Sequence, residues 1–329
     1  MEFGPIIDFI NKHDRFILTA HETPDGDALG SEYALFLALS KLGKKVIIFN
    51  ADPAPEKYAF IKTAAEAVVL ENPEQVPEDI DQYVLIVLDV SDLNNIGQIA
   101  ELILPRVKTH FIIDHHESDS DTLVGNLIQK SASSTAEILY LLFREMEIEV
   151  DLEMSQSLYM AIVFDTGSFI YPKTTAITFE IARDLVAKGV NPNYIYSNIY
   201  ESNSISSLLL LSNVLATLEL KLDNHVAVQT MTKEMIIATN GKYEEADQII
   251  NIPLRSEEIK VSIFFKENPA GIKRCSMRSK RNINVAEIAQ SYGGGGHKTA
   301  AGFKCKDSFE QTKIEILEKL KTCFPRAQL

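Results

Sequence analysis

The 329-residue sequence has no tryptophan, only three cysteines and no long apolar run. Cys275, Cys305 and Cys323 are too few and too scattered to staple a disulfide framework or build a zinc ribbon. No apolar stretch reaches the ~18 residues that a membrane-spanning helix needs. The opening segment, MEFGPIIDFINKHDR, carries an acid at position 2 and lacks both a basic region and a small-residue cleavage signal. A cytoplasmic chain with no membrane partner is therefore expected. The sequence also contains no internal repeat and no low-complexity tract.

What is present is a globular composition. Hydrophobic residues make up 46% and charged residues 24%, enough for a sizeable core and two domains of ordinary size. The net charge of −14 argues against duplex DNA as a partner, but that charge is unevenly spread. Residues 255–329 hold 15 Lys and Arg against 8 Asp and Glu, whereas the preceding residues hold 17 against 38. An acidic front and a basic tail suit a metal site complemented by an anion clamp.

Four short apolar runs mark the front half: residues 15–20 (RFILTA), 45–50 (KVIIFN), 83–89 (YVLIVLD) and 110–114 (HFIID). Each reads as a buried parallel strand, because none alternates with polar residues. Between the first two, Leu29, Tyr33, Phe36, Leu37, Leu39 and Leu42 recur at helical spacing and stop before Gly43. That is a βαβ unit. Helices are expected over residues 135–147, 152–164, 176–187 and 205–218. Near Asp223 the pattern changes to strands at 225–231, 260–266 and 272–278, then helices at 285–291 and 309–323. The expected fold is α/β: an N-terminal parallel-sheet domain (1–192), a helical connector (193–222) and a smaller α/β C-terminal domain (223–329).

Polar clusters follow the strand ends, where ligands bind in open α/β sheets. His21, Asp25 and Asp27 follow the first strand, Asp89 with Ser91 and Asp92 ends the third, and Asp114, His115 and His116 end the fourth. Asp165, Thr166, Gly167 and Ser168 follow the apolar run before them. Singly, each has an ordinary explanation, since Asp caps helices and Pro-Asp-Gly makes turns. Together, so many carboxylates on one sheet edge would repel, and bound cations remove that penalty. Carboxylates with a minority of imidazoles and no thiolate favour Mn²⁺ or Mg²⁺ over structural zinc, and cobalt or iron would also fit. Six candidate ligands are too many for one ion. Two divalent ions about 3.5–4 Å apart are the arrangement that hydrolyses phosphate esters.

The basic tail supplies the complement. Gly293 to Gly296, followed by His297 and Lys298, would let backbone N–H groups approach a phosphate, and Arg278, Lys280 and Arg281 offer cationic donors. The glycine run is not a P-loop, because no Gly-Lys-Ser/Thr ends it.

These motifs resemble the DHH phosphoesterases. His21-x-x-x-Asp25-Gly26-Asp27, Asp89, Asp114-His115-His116 and Asp165-Thr166-Gly167 are similar to that superfamily's successive motifs, and Gly293 to His297 with Ala300-Ala301-Gly302 resembles its associated C-terminal domain. Within the superfamily the chain is most similar to the bacterial nanoRNases. The resemblance implies that His21, Asp25 and Asp89 hold one metal, that Asp27, Asp89, His115 and Asp165 hold the other, and that Asp89 bridges. It implies a catalytic role for Asp89 and for His116, the latter contacting the scissile phosphate or protonating the leaving oxygen. Arg278, Gly295, Gly296 and His297 would grip a terminal phosphate or the substrate backbone.

The implied activity is hydrolysis of short single-stranded RNA to mononucleotides and of 3′-phosphoadenosine 5′-phosphate to AMP. Alternatives with the same metal chemistry are a cyclic- or linear-dinucleotide phosphodiesterase and a pyrophosphatase or exopolyphosphatase. A homodimer is compatible with all of them. With tryptophan missing, base stacking would fall to Phe and Tyr.

Overall fold

The computed structural model describes residues 1–61, 66–90, 92–116, 125–246, 248–280 and 283–324, without the side chains of Glu244 and His297. Ser91 and Arg281 thus lie outside the described residues, as does the side chain of His297. The chain divides into two compact units, Met1–Ser202 and Asn203–Leu329.

In the first unit the apolar runs pair as one sheet. Strands β1 (Arg15–Thr19), β2 (Lys45–Asn50), β3 (Ala67–Val69), β4 (Val84–Leu88), β5 (His110–Asp114) and β6 (Leu127–Ile128) lie in the order β3-β2-β1-β4-β5-β6. Every pairing is parallel. Strand β4 is buried along its whole length because both sheet faces are covered. One face joins Phe16, Leu18, Val84, Ile86 and Ile113 to residues of the surrounding helices. The other carries Ile17, Leu85, Val87 and Ile112 and is closed by the segment containing Ile80, Ile96 and Ile99.

Seven helices accompany this sheet among the described residues: α1 (Gly4–Lys12), α2 (Gly26–Lys41), α3 (Ile99–Leu102), α4 (Thr135–Glu145), α5 (Leu152–Asp165), α6 (Ala176–Ala187) and α7 (Pro192–Tyr200). Helix α2 is buried on nearly every side over its first ten residues, lying between the sheet and α5. Gly30 makes that approach possible. A Cβ there would fall 2.5 Å from the Ser157 carbonyl oxygen and 2.9 Å from the Ala161 Cβ. The chain leaves β1 towards β2 on one side and later enters β4 on the other, so the β1/β4 pair is a topological switch point. The segments after these two strands carry His21, Asp25, Asp27 and Asp89.

The second unit is a mixed sheet with strands β7 (Glu219–Lys221), β8 (Val226–Met231), β9 (Val261–Glu267), β10 (Lys273–Ser279), β11 (Gly295–His297) and β12 (Ala300–Lys304), ordered β11-β12-β10-β9-β8-β7. Among the described strands of this sheet only β8 and β9 pair in parallel. Helices α8 (Ile205–Leu215), α9 (Lys233–Thr239), α10 (Val285–Gln290) and α11 (Phe309–Leu320) complete it. Residues 193–222, expected as a helical connector, are shared between the units: α7 belongs to the first, α8 and β7 to the second.

The last two glycines of the run open β11, and the absence of side chains lets the run lie close against β12. A Cβ on Gly294 would meet the Gly302 carbonyl oxygen at 2.2 Å, and one on Gly296 would meet that of Ala300 at 2.4 Å. Gly295 instead has open space where its Cβ would be. Among the described residues no helix is long and apolar enough to cross a membrane.

Candidate metal centre

The first unit gathers at the switch point the acids and imidazoles that the sequence scatters over 145 positions, from His21 to Asp165. Asp25 is the N-cap of α2, its carboxylate accepting the Asp27 and Ala28 N–H groups at 2.9 and 3.2 Å. The same residue therefore starts the helix and fronts the cluster. Asp27 points the other way, onto the N-terminus of α4. It accepts the Thr135 and Ala136 N–H groups at 2.7 and 3.1 Å and the Ser31 hydroxyl at 3.0 Å. An anion there satisfies otherwise orphaned donors and the helix dipole. Asp89 follows β4 with φ +59, a left-handed backbone that Asp tolerates better than most side chains. Asp165 ends α5.

Three overlapping sets result, each with its ligand atoms within 4.8 Å of one another: His21, Asp25 and Asp89; Asp27, His115 and Asp165; Asp89, His115 and His116. The two oxygens of Asp89 face different neighbours. Its Oδ2 lies 3.7 Å from His21 Nε2, and its Oδ1 lies 3.5 Å from His115 Nε2. His21 Nε2 is also 3.8 Å from Asp25 Oδ2, and His115 Nε2 is 3.2 Å from Asp165 Oδ2 and 3.7 Å from Asp27 Oδ2. His115 Nε2 is buried and makes no hydrogen bond. A bare imidazole nitrogen facing three carboxylates is the arrangement a cation completes. His21 keeps its Nε2 free in the same way, since its Nδ1 donates to the Glu22 carbonyl at 2.7 Å.

Without a cation the cluster is electrostatically strained. Burial, followed by the charges of Asp27, Asp25, Asp165 and Asp114, pushes the Asp89 carboxyl far above the usual range. Burial and the charges of Asp27 and Asp25 push Asp165 up to about 8. Asp25 is raised by burial and by Asp27, against the pull of His21. Burial lowers His115, which favours the neutral form that binds metals.

A stability prediction follows with a definite sign. Carboxyls whose folded pKa is raised stabilise the metal-free fold below their unfolded value of about 4, and that contribution is lost as pH rises towards about 8. The metal-free protein should therefore melt at a lower temperature at pH 8 than at pH 5.5. Divalent cation should raise Tm more at pH 8, which thermal melts in EDTA and in Mn²⁺ will measure.

His116 is placed differently. Its side chain is half exposed, and its Nδ1 donates to Asp114 Oδ1 at 2.7 Å. That bond first, against burial, raises the His116 pKa. Burial alone would raise Asp114, but the hydrogen bond and charge of His116 outweigh it and hold the carboxyl low. Asp114 also accepts the His115 backbone N–H at 2.8 Å, so one fully buried carboxylate orients the His116 imidazole and fixes the His115 backbone.

Sequence reasoning gave Asp114 no role, although its two-residue spacing from His116 was the available signal. It also missed Thr135, whose hydroxyl donates to Asp89 Oδ1 at 3.0 Å, and Lys173, whose Nζ donates to the His115 carbonyl at 3.0 Å. In the second unit the register lines up Arg278 with Ala300, and Ala300 with His297, across β10, β12 and β11. Gly295 and Gly296 lie in the same β11, and the Arg278 guanidinium donates to the Met277 carbonyl at 3.2 Å.

Two family models match the chain. Residues 15–162 match the DHH family, N-terminal domain, and residues 223–325 match the DHHA1 domain. The chain carries a DHH domain followed by a DHHA1 domain. Its DHH domain contains every candidate ligand except Asp165, which lies three residues beyond the match.

Two relatives are described as bifunctional oligoribonuclease and PAP phosphatase NrnA. The Thermus thermophilus protein is 26% identical over 311 residues, 94% of this chain and 90% of its own. The Bacillus subtilis protein is 26% identical over 302 residues, 90% of this chain and 91% of its own. The DHH–DHHA1 fold recurs in the crystal structure of an exopolyphosphatase-related protein from Bacteroides fragilis. That match has a TM-score of 0.91 at 24% identity, covering 98% of this chain and 96% of the other. It recurs more distantly in RecJ in complex with Mn²⁺ from Thermus thermophilus, with a TM-score of 0.52 at 15% identity over 96% of this chain and 53% of that one.

Proposed function

We propose that this protein is a metal-dependent phosphoesterase that hydrolyses short oligoribonucleotides to mononucleotides and 3′-phosphoadenosine 5′-phosphate to AMP. The observation that carries the chemistry is Asp89 presenting one oxygen to His21 and the other to His115. In this reading His21, Asp25 and Asp89 would hold one divalent ion and Asp27, Asp89, His115 and Asp165 would hold the second, with Asp89 common to both sets. The donor set suits Mn²⁺ first, with Mg²⁺ or Co²⁺ able to substitute. When bound, such a pair lowers the pKa of water to near neutrality and offsets charge on the phosphoryl oxygens. The substrate assignment is supported by the NrnA relatives, which align over nine-tenths of both chains. Duplex DNA falls outside it, given the net charge of −14.

The chain's own groups divide the remaining work. Asp114 fixes the His116 ring with Nδ1 inward, which leaves Nε2 to carry a proton to the departing sugar oxygen. Thr135 and Lys173 hold Asp89 and the His115 backbone in place. In the second unit, Arg278 and the backbone at Gly295, Gly296 and His297 would bind a terminal phosphate of the substrate.

Release of AMP and phosphate from 3′-phosphoadenosine 5′-phosphate, supported by Mn²⁺ and abolished by EDTA, tests the reading. Turnover undiminished in EDTA would overturn it. The proton-donor role has its own test. His116→Asn should slow RNA cleavage by about 10²–10⁴-fold while retaining metal. Hydrolysis of a p-nitrophenyl ester, whose leaving group needs no proton, should fall far less. Equal losses on both substrates would remove His116 from that role.

A further inference from the structure

Beside Asp165 the first unit has an aromatic cleft that the metal chemistry leaves unused. Its volume is about 280 Å³, and it is lined by Tyr159, Val163, Ser168, Phe169, Pro192 and Tyr196, with the neutral amide of Asn193 at its edge. Three features distinguish it from ordinary core. The first is exposure: Tyr196 in the lining is 42% exposed, and Phe179, which stacks on Phe169 from outside the lining, is 55% exposed, although a core aromatic is buried.

The second is backbone cost. Gly167, Ser168 and Phe169 are consecutive left-handed residues, with φ of +55, +62 and +69. Only the glycine is comfortable there, and a bulky residue such as Phe is a true outlier. The turn is nevertheless fixed, because the Phe169 N–H donates to Thr166 Oγ1 at 2.9 Å and a Cβ on Gly167 would meet the Tyr171 ring at 2.5 Å. Strain held this firmly next to a reacting centre points to function.

The third is ring arrangement. Phe169 stacks on Phe179 at 5.3 Å and meets Tyr159 at 6.0 Å. Opposite, Tyr196 lies 4.9 Å from Tyr200, whose hydroxyl donates to the Val163 carbonyl at 3.2 Å. That bond ties the ladder on α7 to the last turn of α5, two residues before Asp165.

We propose that this cleft is a subsite for one nucleobase of the substrate. It deepens the functional reading above and rests on it. No charged side chain lines the cleft, which disfavours a phosphate and suits a neutral planar ring. Its volume falls just below the ~300–1,000 Å³ of pockets for drug-sized ligands, which suits a single ring system. Val163 and Ser168 stand two residues before and three residues after Asp165, so a base held there would lie close to a phosphate at the metal centre. Stacking on Tyr and Phe tolerates any base, while the Asn193 amide can reach a base edge. The subsite would favour base-bearing substrates over pyrophosphate or polyphosphate, which the metal centre alone does not distinguish.

The test compares a dinucleotide with its abasic counterpart, using wild type, Tyr196→Ala and Phe179→Ala, both exposed positions whose replacement spares the core. Wild type should prefer the base-bearing substrate at least tenfold in kcat/KM, and each variant should bring that ratio towards one, chiefly through KM. Binding is read separately with a 2-aminopurine dinucleotide in EDTA: quenching in wild type, weaker in the variants, is expected. An unchanged ratio in both variants, or no quenching in wild type, overturns the subsite. So does a sedimentation shift from dimer to monomer in Tyr196→Ala, which would make this face a contact between two copies. Absence of any nucleotide hydrolysis by wild type would instead overturn the functional reading.

Discussion

Asp89→Asn is expected to lower metal-dependent hydrolysis on the order of 10³-fold or more, without lowering the melting temperature measured in EDTA. The activity loss follows from geometry, since this one carboxylate faces both histidines through separate oxygens. An amide nitrogen in place of either oxygen would remove one ion or both. The stability expectation follows from electrostatics. Burial and four neighbouring carboxylates raise the Asp89 pKa strongly, and one hydroxyl, that of Thr135, is its only described donor. A neutral amide relieves that repulsion, and Asn tolerates φ +59 as Asp does. Alanine would confuse the experiment by adding backbone strain of about 1–2 kcal/mol. Asp92→Ala is the control. Asp92 caps a short helical turn and belongs to none of the three sets, so its loss should cost far less activity. Equal losses at the two positions would displace Asp89 from its bridging place.

Asp27→Ala should behave differently, losing activity to a similar extent and also about 2–4 kcal/mol of stability in EDTA. Asp27 is a buried anion held by two backbone N–H groups of α4 and by the Ser31 hydroxyl. Removing it orphans those donors at a buried helix start, and each orphaned donor costs about 1–3 kcal/mol. Asp27→Asn keeps an acceptor and should recover part of the stability but not the activity. Denaturant unfolding of both variants without metal, beside turnover with Mn²⁺, separates the two effects. A fully stable Asp27→Ala would mean that α4 needs no such anchor.

The contrast between these two aspartates shows what could be read from the sequence. Both follow an apolar strand, and both were legible as metal-site candidates for that reason. Their different anchoring was not, because the donors at Thr135 and Ala136 lie 108 and 109 residues from Asp27 and nothing local announces them. The same distinction holds for the fold. Strands β1, β2, β4 and β5 were legible as continuous apolar runs, and α2 from its spacing and its stop before Gly43. Strands β3 and β6 have three and two residues and carry no periodic signal. β11 was hidden because its glycines, read as a phosphate-approach loop, are also what lets it lie against β12. The aromatic cleft was invisible for another reason: Tyr159, Phe169 and Tyr196 come from separate segments, and they line one cleft only in the folded chain.

The most direct test of the account is turnover of 5′-labelled RNAs from two to twenty-four nucleotides, with Mn²⁺ and with EDTA, beside pyrophosphate and a cyclic dinucleotide. The account predicts fast, metal-dependent conversion of the shortest RNAs to mononucleotides, slower cleavage as length grows, and weak action on pyrophosphate. Inert RNA with rapid cleavage of pyrophosphate or the cyclic dinucleotide would contradict the substrate assignment. RNA cleavage that persists in EDTA would contradict the metal centre itself.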